Sequence, residues 1–218
     1  MQHTIAKSFK DLFSGTVLAF MAKTTLLSLS VTLLLIWLLK DTLSTFVTHY
    51  LSWIPWEWLQ TSGTAVATIA IAYMLFILVH AVITSFMIEP LLIALAKKHY
   101  PEVAVVGSPD MTTSILLSLK AGGLFLVLFL LTFPLMFIPL IGAVWMLWLW
   151  SILLKAPVIY DVSALFIADK SKIKEKTKKS TLMAMIAAGF NYIPLLNIFA
   201  PVFAEILFLH HILGKEAS

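Results

Sequence analysis

Apolar residues Ile5, Phe9, Leu12, Phe13, Val17, Phe20 and Met21 recur at helical spacing, while Lys7, Lys10, Asp11 and Ser14 fall elsewhere. Residues 1–22 therefore predict an amphipathic helix lying in a membrane interface. Lys23 ends that pattern. Thr24 to Leu39 is then an uncharged run of 16 residues, long enough to span when Lys23 and Lys40 reach out to the headgroups. Residues 24–39 are thus expected to form a first transmembrane helix. Trp53, Ile54, Pro55, Trp56, Glu57 and Trp58 follow, a tryptophan-rich stretch suited to an interfacial belt.

Residues 58 to 88 are 31 consecutive positions without Asp, Glu, Lys or Arg, with His80 among them. This second span can cross with some tilt. Beyond Glu89 and Pro90 the helix is expected to continue into water through Lys98, with Pro101 stopping it, so residues 58–98 form one element. Ser108, Pro109 and Asp110 read as a new helix start, with the cap on Ser108 and proline at the first helical position.

Residues 121 to 154 are again uncharged but broken by Pro134, Pro139 and Gly142. Each arm holds about 15 residues, roughly 22 Å of helix against a hydrocarbon core of about 30 Å. A hairpin that enters the membrane, turns at the prolines and leaves on the same side fits those lengths, provided protein covers the backbone at its tip. Residues 109–160 are assigned to it. Residues 180–213 repeat the plan, with a break from Asn191 to Pro201 and a second arm carrying Glu205. Phe137-Ile-Pro-Leu-Ile-Gly142 aligns with Tyr192-Ile-Pro-Leu-Leu-Asn197, each ending in a residue tolerant of left-handed backbone. Paired broken segments in corresponding positions point to a transport site. The fold class expected is an all-α integral membrane protein: an amphipathic N-terminal helix, two long transmembrane helices and two Pro-tipped re-entrant hairpins in one membrane domain.

Composition agrees, with 61% of the 218 residues apolar and 12% charged, a balance no water-exposed surface accommodates. A net charge of +4 raises the question of nucleic acid, but the lysines lie between apolar segments and serve topology better. The topology above puts 14 of 15 lysines on one side, which predicts cytoplasmic N- and C-termini. Full crossing by both hairpins would give the same sides. There is no cysteine, which removes thiolate chemistry, and no arginine, which removes the planar fork that grips oxyanions. Ser-His-Asp spacing, HExxH, a Gly-rich phosphate loop and paired carboxylates are all missing, so neither an enzyme nor a cofactor is expected.

The break Phe137-Ile-Pro-Leu-Ile-Gly142, the aromatic arm into Tyr160-Asp161, and Tyr192-Ile-Pro-Leu-Leu-Asn-Ile-Phe-Ala-Pro201 resemble the CysZ-like sulfate permease family, which shares its domain with etoposide-induced membrane proteins. The resemblance runs in order and spacing over nearly the whole chain. It implies a bacterial inner-membrane protein with two transmembrane helices, two hemi-penetrating hairpins, oligomeric assembly and sulfate uptake. Sulfate permeases of that family carry a Gly-Leu-Arg type motif leading into the first transmembrane helix. Here that place reads Ala22-Lys23-Thr24-Thr25-Leu26, so an anion would be held without arginine.

Lys23, with the hydroxyls of Thr24 and Thr25 and free N–H groups at a helix start, is the candidate anion site; the alternative is a membrane anchor and cap. Glu205 is either a buried coupling group or an interfacial carboxylate. His80 either gates a pathway or is hydrogen-bonded between helices. Asn191 and Asn197 flank the second tip, where their amides meet a solute or satisfy broken backbone. Pro134, Pro139, Gly142, Pro194 and Pro201 shape the tips. His210 and His211 point about 100° apart on a helix and cannot share one metal, so no metal site is expected. Lys170 to Lys179 serves topology or anionic lipid, and Trp145, Trp148 and Trp150 are packing surface. The function expected is a transporter or channel for a small inorganic anion, sulfate first, as a homo-oligomer in the bilayer. The alternative is a non-transporting membrane scaffold of the same superfamily.

Overall fold

The computed structural model describes residues 2–52, 55–169 and 180–214. The belt residues Trp53 and Ile54, the lysine run of 170–179 and Lys215 lie outside them. The described chain is helical, with no strand: α1 (Gln2–Leu12), α2 (Gly15–Leu51), α3 (Glu57–His99), α4 (Met111–Thr132), α5 (Ile141–Phe166), α6 (Thr181–Ala188) and α7 (Ala200–Leu213). Short 3-10 turns at Phe133–Phe137, Gly189–Tyr192 and Leu196–Phe199 form the hairpin tips. Five stretches are long and apolar enough to cross a bilayer, in Gly15–His49, Gln60–His99, Met111–Leu135, Ile141–Phe166 and Leu196–Leu213. Large apolar side chains such as Trp37, Ile69 and Leu131 stand exposed at 65%, 70% and 74%. Hydrocarbon, not water, is the solvent such surfaces require, and the chain is a multi-pass membrane protein.

Two packing units divide the chain, residues 20–87 in one and residues 1–19 with 88–218 in the other. In the first, Thr24, Ser28 and Thr32 form a buried stripe at four-residue spacing along α2. Each hydroxyl donates back to a carbonyl of the preceding turn: Thr24 to Phe20 and Met21 (both 3.1 Å), Ser28 to Thr24 (2.6 Å), Thr32 to Ser28 (2.7 Å). This back-bonding satisfies the hydroxyls without water.

In the second unit, α4 and α5 form a hairpin, α6 and α7 pack on α5, and α1 packs on α7. From Val202 to Leu209 every apolar residue of α7 is fully buried. Alanines 184, 187 and 188 on α6 and 200 and 204 on α7 let the backbones approach closely. Phe203 stacks on Phe190 at 4.3 Å and tilts against Phe9 at 4.9 Å, tying α1 to the second tip and to α7.

Several expected boundaries move. The amphipathic helix ends at Leu12 instead of running to residue 22, because Ser14 Oγ accepts the Val17 N–H at 3.4 Å and starts a new helix at Gly15. The first long helix therefore spans 37 residues and carries Lys23 and Lys40 within it, well beyond residues 24–39. The cap of α4 is Asp110 and not Ser108, since Asp110 Oδ2 accepts the Thr113 N–H at 2.8 Å. The arms of the first hairpin are 22 and 26 residues, roughly 33 and 39 Å, longer than the uncharged runs because α4 continues through Lys120 and α5 through Lys155 and Asp161. Arm length thus no longer argues for partial penetration by this hairpin.

Candidate functional site

The two tips share one backbone path. Ile138 and Ile193 are both extended (φ −90°, ψ 113° and φ −108°, ψ 109°), and prolines 139 and 194 follow them. Leu140 and Leu195 then take positive φ, 65° and 69°. In each tip the N–H of the sixth residue closes on the carbonyl of the second: Gly142 to Ile138 at 2.8 Å, Asn197 to Ile193 at 3.1 Å. Left-handed backbone was expected at Gly142 and Asn197; it falls two residues earlier, because the proline fixes the incoming φ and the turn tightens directly after it. At Leu140 the Ile141 N–H reaches Pro139 O at 2.8 Å, a γ-turn of the strained, positive-φ kind.

The second tip also touches the first hairpin. Tyr192 Oη donates to Ala143 O at 2.8 Å, and its ring lies 6.3 Å from Trp150. Trp145 Nε1 donates to Thr132 Oγ1 at 2.8 Å, bracing α4 against α5 just below the first tip, near Pro134. Asn191 and Asn197 are half-buried, and Pro201 lies in the first turn of α7.

Lys23 is exposed on α2, Thr25 half-buried and Thr24 buried. The helix starts at Gly15, so the N–H groups of 23–25 lie inside it; the free helix-start donors expected there are at Gly15 instead. His80, 1% exposed on α3, has Nδ1 3.1 Å from Ser28 Oγ of the hydroxyl stripe and stacks on Phe76 at 5.8 Å. Glu205 is 5% exposed, and its Oε2 has no hydrogen-bond partner among the described residues. Near it on α5, Asp161 accepts from Ser114 Oγ of α4 at 2.5 Å.

Sequence reasoning missed a polar cluster where α1, the end of α3 and α7 meet. Asp11 Oδ2 lies 2.7 Å from His99 Nε2 and 2.8 Å from His210 Nε2, and Oδ1 accepts from Lys98 Nζ at 3.2 Å. Tyr100 Oη lies 3.0 Å from His210 Nδ1, and Lys7 Nζ sits 4.4 Å over the Tyr100 ring. Asp11 and His210 are 2% and 1% exposed. Burial pushes the Asp11 carboxyl up, but the contacts from His99, His210 and Lys98 outweigh it and hold the group below the usual carboxylate value. Burial, then the charges of Asp11 and Glu102, push the Tyr100 phenol up. No local spacing marks residues 11, 99 and 210. The available hint was that Asp11 is the sole carboxylate before Asp41 and sits on a helix otherwise carrying lysine.

A family model described as sulfate transporter CysZ/etoposide-induced protein 2.4 matches residues 4–201. No curated protein and no solved structure matches the chain.

Proposed function

The chain belongs to the sulfate transporter CysZ/etoposide-induced protein 2.4 family, and from that premise we propose that it is a transporter or channel passing a small inorganic anion, sulfate first, across a bacterial inner membrane. The observation that carries this reading is the repeated tip: two proline-centred breaks with the same backbone path and the same closing hydrogen bond, at residues 138–142 and 193–197. Broken helices in corresponding positions are where transport sites form in lipid, because there alone unpaired backbone polar groups can face a solute.

In this reading α2 and α3 cross the membrane and both hairpins enter it without crossing. Supporting the second hairpin's partial depth, its incoming arm Thr181–Tyr192 covers roughly 20 Å against a core of about 30 Å, while its outgoing arm Leu196–Leu213 is long enough to cross. The lysine-rich ends, including both termini, face the cytoplasm. Exposed apolar flanks of α4 and α5 pack against further copies of the chain, which also cover the first tip. Lys23 draws the anion to the membrane, with the hydroxyls of Thr24 and Thr25 beside it. His80, Glu205, Asn191 and Asn197 are the polar groups offered to the pathway, and Glu205 is the candidate for coupling to protons.

Radiolabelled sulfate uptake into proteoliposomes holding only this protein tests the proposal, with empty and Lys23→Ala vesicles beside it. Saturable uptake above empty vesicles supports transport, and its loss in the variant supports Lys23. Uptake equal to that of empty vesicles makes sulfate wrong and leaves a non-transporting membrane scaffold as the better reading.

A further inference from the structure

Nothing in the transport reading uses the cluster of Asp11, His99 and His210. We propose that Asp11 Oδ2, His99 Nε2 and His210 Nε2 form a binding site for a divalent transition metal of the zinc class, clamping α1 to the end of α3 and to α7.

Two imidazoles and one carboxylate are a donor set suited to such a cation, and a thiolate is not needed. All three ligand atoms lie within 4.8 Å of one another. Tetrahedral zinc with bonds of about 2.1 Å separates its donors by about 3.4 Å, so the present 2.7 and 2.8 Å contacts need open by only about 0.7 Å. Surrounding residues already hold the ligands in place. His210 donates from Nε2 to the Asp11 carboxylate and accepts at Nδ1 from Tyr100 Oη; a metal ion would take the place of the Nε2 proton, shifting the proton to Nδ1 and turning Tyr100 Oη from donor to acceptor. Lys98 takes Oδ1 of the carboxylate and leaves Oδ2 to the histidines.

His99 supplies a further sign. Its Nε2 is buried and makes no hydrogen bond among the described residues, although Asp11 Oδ2 is 2.7 Å away. At that distance only an oblique approach fails to count, so the in-plane direction of Nε2 passes the oxygen and meets no partner among the described residues. Burying an imidazole nitrogen in this way is costly unless another atom receives it. A cavity of about 460 Å³ reaches Asp11 and His99 and is bordered by His3, Lys7, Lys10 and Lys98. It gives an entry path and room for a water in the fourth position. Nearby lysines oppose a cation, but the Lys98 side chain is 57% exposed and free to extend into water as metal enters.

The experiment uses the full-length protein in detergent, purified without a histidine tag, stripped with chelator and titrated with Co²⁺ and then Zn²⁺. The expected result is one metal per chain by elemental analysis. Co²⁺ should give the intense visible absorption of a tetrahedral site, which Zn²⁺ should bleach. His99→Ala should weaken binding by roughly 100-fold, Tyr100→Phe should weaken it roughly 10-fold by freeing the His210 ring, and His211→Ala should leave it unchanged. Zn²⁺ should raise the unfolding temperature of the wild type and not that of His99→Ala. Should Asp11→Asn fail to fold, His99→Ala and Tyr100→Phe still decide the matter. Stripped wild type that takes up no Zn²⁺, or binding equally tight in His99→Ala, overturns the site and leaves the cluster a hydrogen-bonded clasp. Sulfate flux is a separate reading, so its absence does not touch this result.

Discussion

Leu140→Gly and Leu195→Gly should stabilise the protein, or leave it unchanged, although each deletes a large apolar side chain. An L-residue with a side chain pays about 1–2 kcal/mol to hold positive φ, and glycine does not. The replacement costs about 0.5–1 kcal/mol in unfolded-chain entropy. Packing loss is small, because Leu140 is 83% and Leu195 69% exposed. The balance is about 0 to 1.5 kcal/mol in favour of glycine at each tip. The control is Leu126→Gly, 55% exposed within α4, which should cost about 1 kcal/mol through helix propensity alone. Unfolding of the purified protein in one detergent, followed by tryptophan fluorescence against temperature, measures both. At about 2–4 °C per kcal/mol for a chain of this size, the tip variants should melt several degrees above the control. If Leu140→Gly and Leu195→Gly fall as far as Leu126→Gly, the tips do not hold positive φ and the shared geometry argued above is wrong.

Other substitutions test separate parts of the structure. Phe203→Ala removes a fully buried ring that stacks on Phe190 and tilts against Phe9, and should cost about 3–5 kcal/mol by the same melting assay. Ser28→Ala deletes the 3.1 Å link to His80 and should cost about 0.6 kcal/mol, the usual worth of a hydrogen bond between membrane helices; a loss above about 2 kcal/mol would mean the stripe does more than pair two helices. Glu205→Met replaces a buried carboxyl with an unpartnered oxygen by an apolar chain of similar length, and should stabilise by about 1–3 kcal/mol. The same variant measured for sulfate uptake separates roles: higher stability with lost flux marks a functional carboxyl, while unchanged flux removes Glu205 from the pathway.

What could be read from the chain, and what could not, divides along the range of the interactions. Apolar runs without charge gave the long helices, because lipid solvation acts on every residue locally and leaves its mark in composition. Pro101 stopped α3 where expected, since proline acts on its own backbone. The break at Ser14-Gly15 was also written locally, but the apolar spacing continues across it from Phe13 to Val17, and periodicity outweighed a short capping signal. Positive φ at Leu140 and Leu195 left no trace, because leucine is a residue that disfavours it. Asp11, His99 and His210 were invisible for a different reason. They are brought together by three helices from distant parts of the chain, and only packing of α1 on α7 makes them neighbours.

That packing bears on the two hairpins as well. The second one is built into the protein: its outgoing helix α7 is buried along nearly its whole length, and its tip is pinned to the first hairpin through Tyr192 and Ala143. The first one is built toward lipid, with Leu124, Leu126, Val127, Leu130 and Leu131 exposed along one arm and Leu140 at its end. An exposed tip carrying a strained, non-helical turn cannot face hydrocarbon alone, because each backbone group left unmet there costs several kcal/mol. Either the tip reaches water at the far surface, for which arms of roughly 33 and 39 Å suffice, or another copy of the chain covers it. Cross-linking a cysteine at position 140 distinguishes these: labelling by a membrane-impermeant thiol reagent from the side opposite the N-terminus marks full crossing, whereas protection with formation of a 140–140 disulfide between copies marks a tip enclosed by a second protomer.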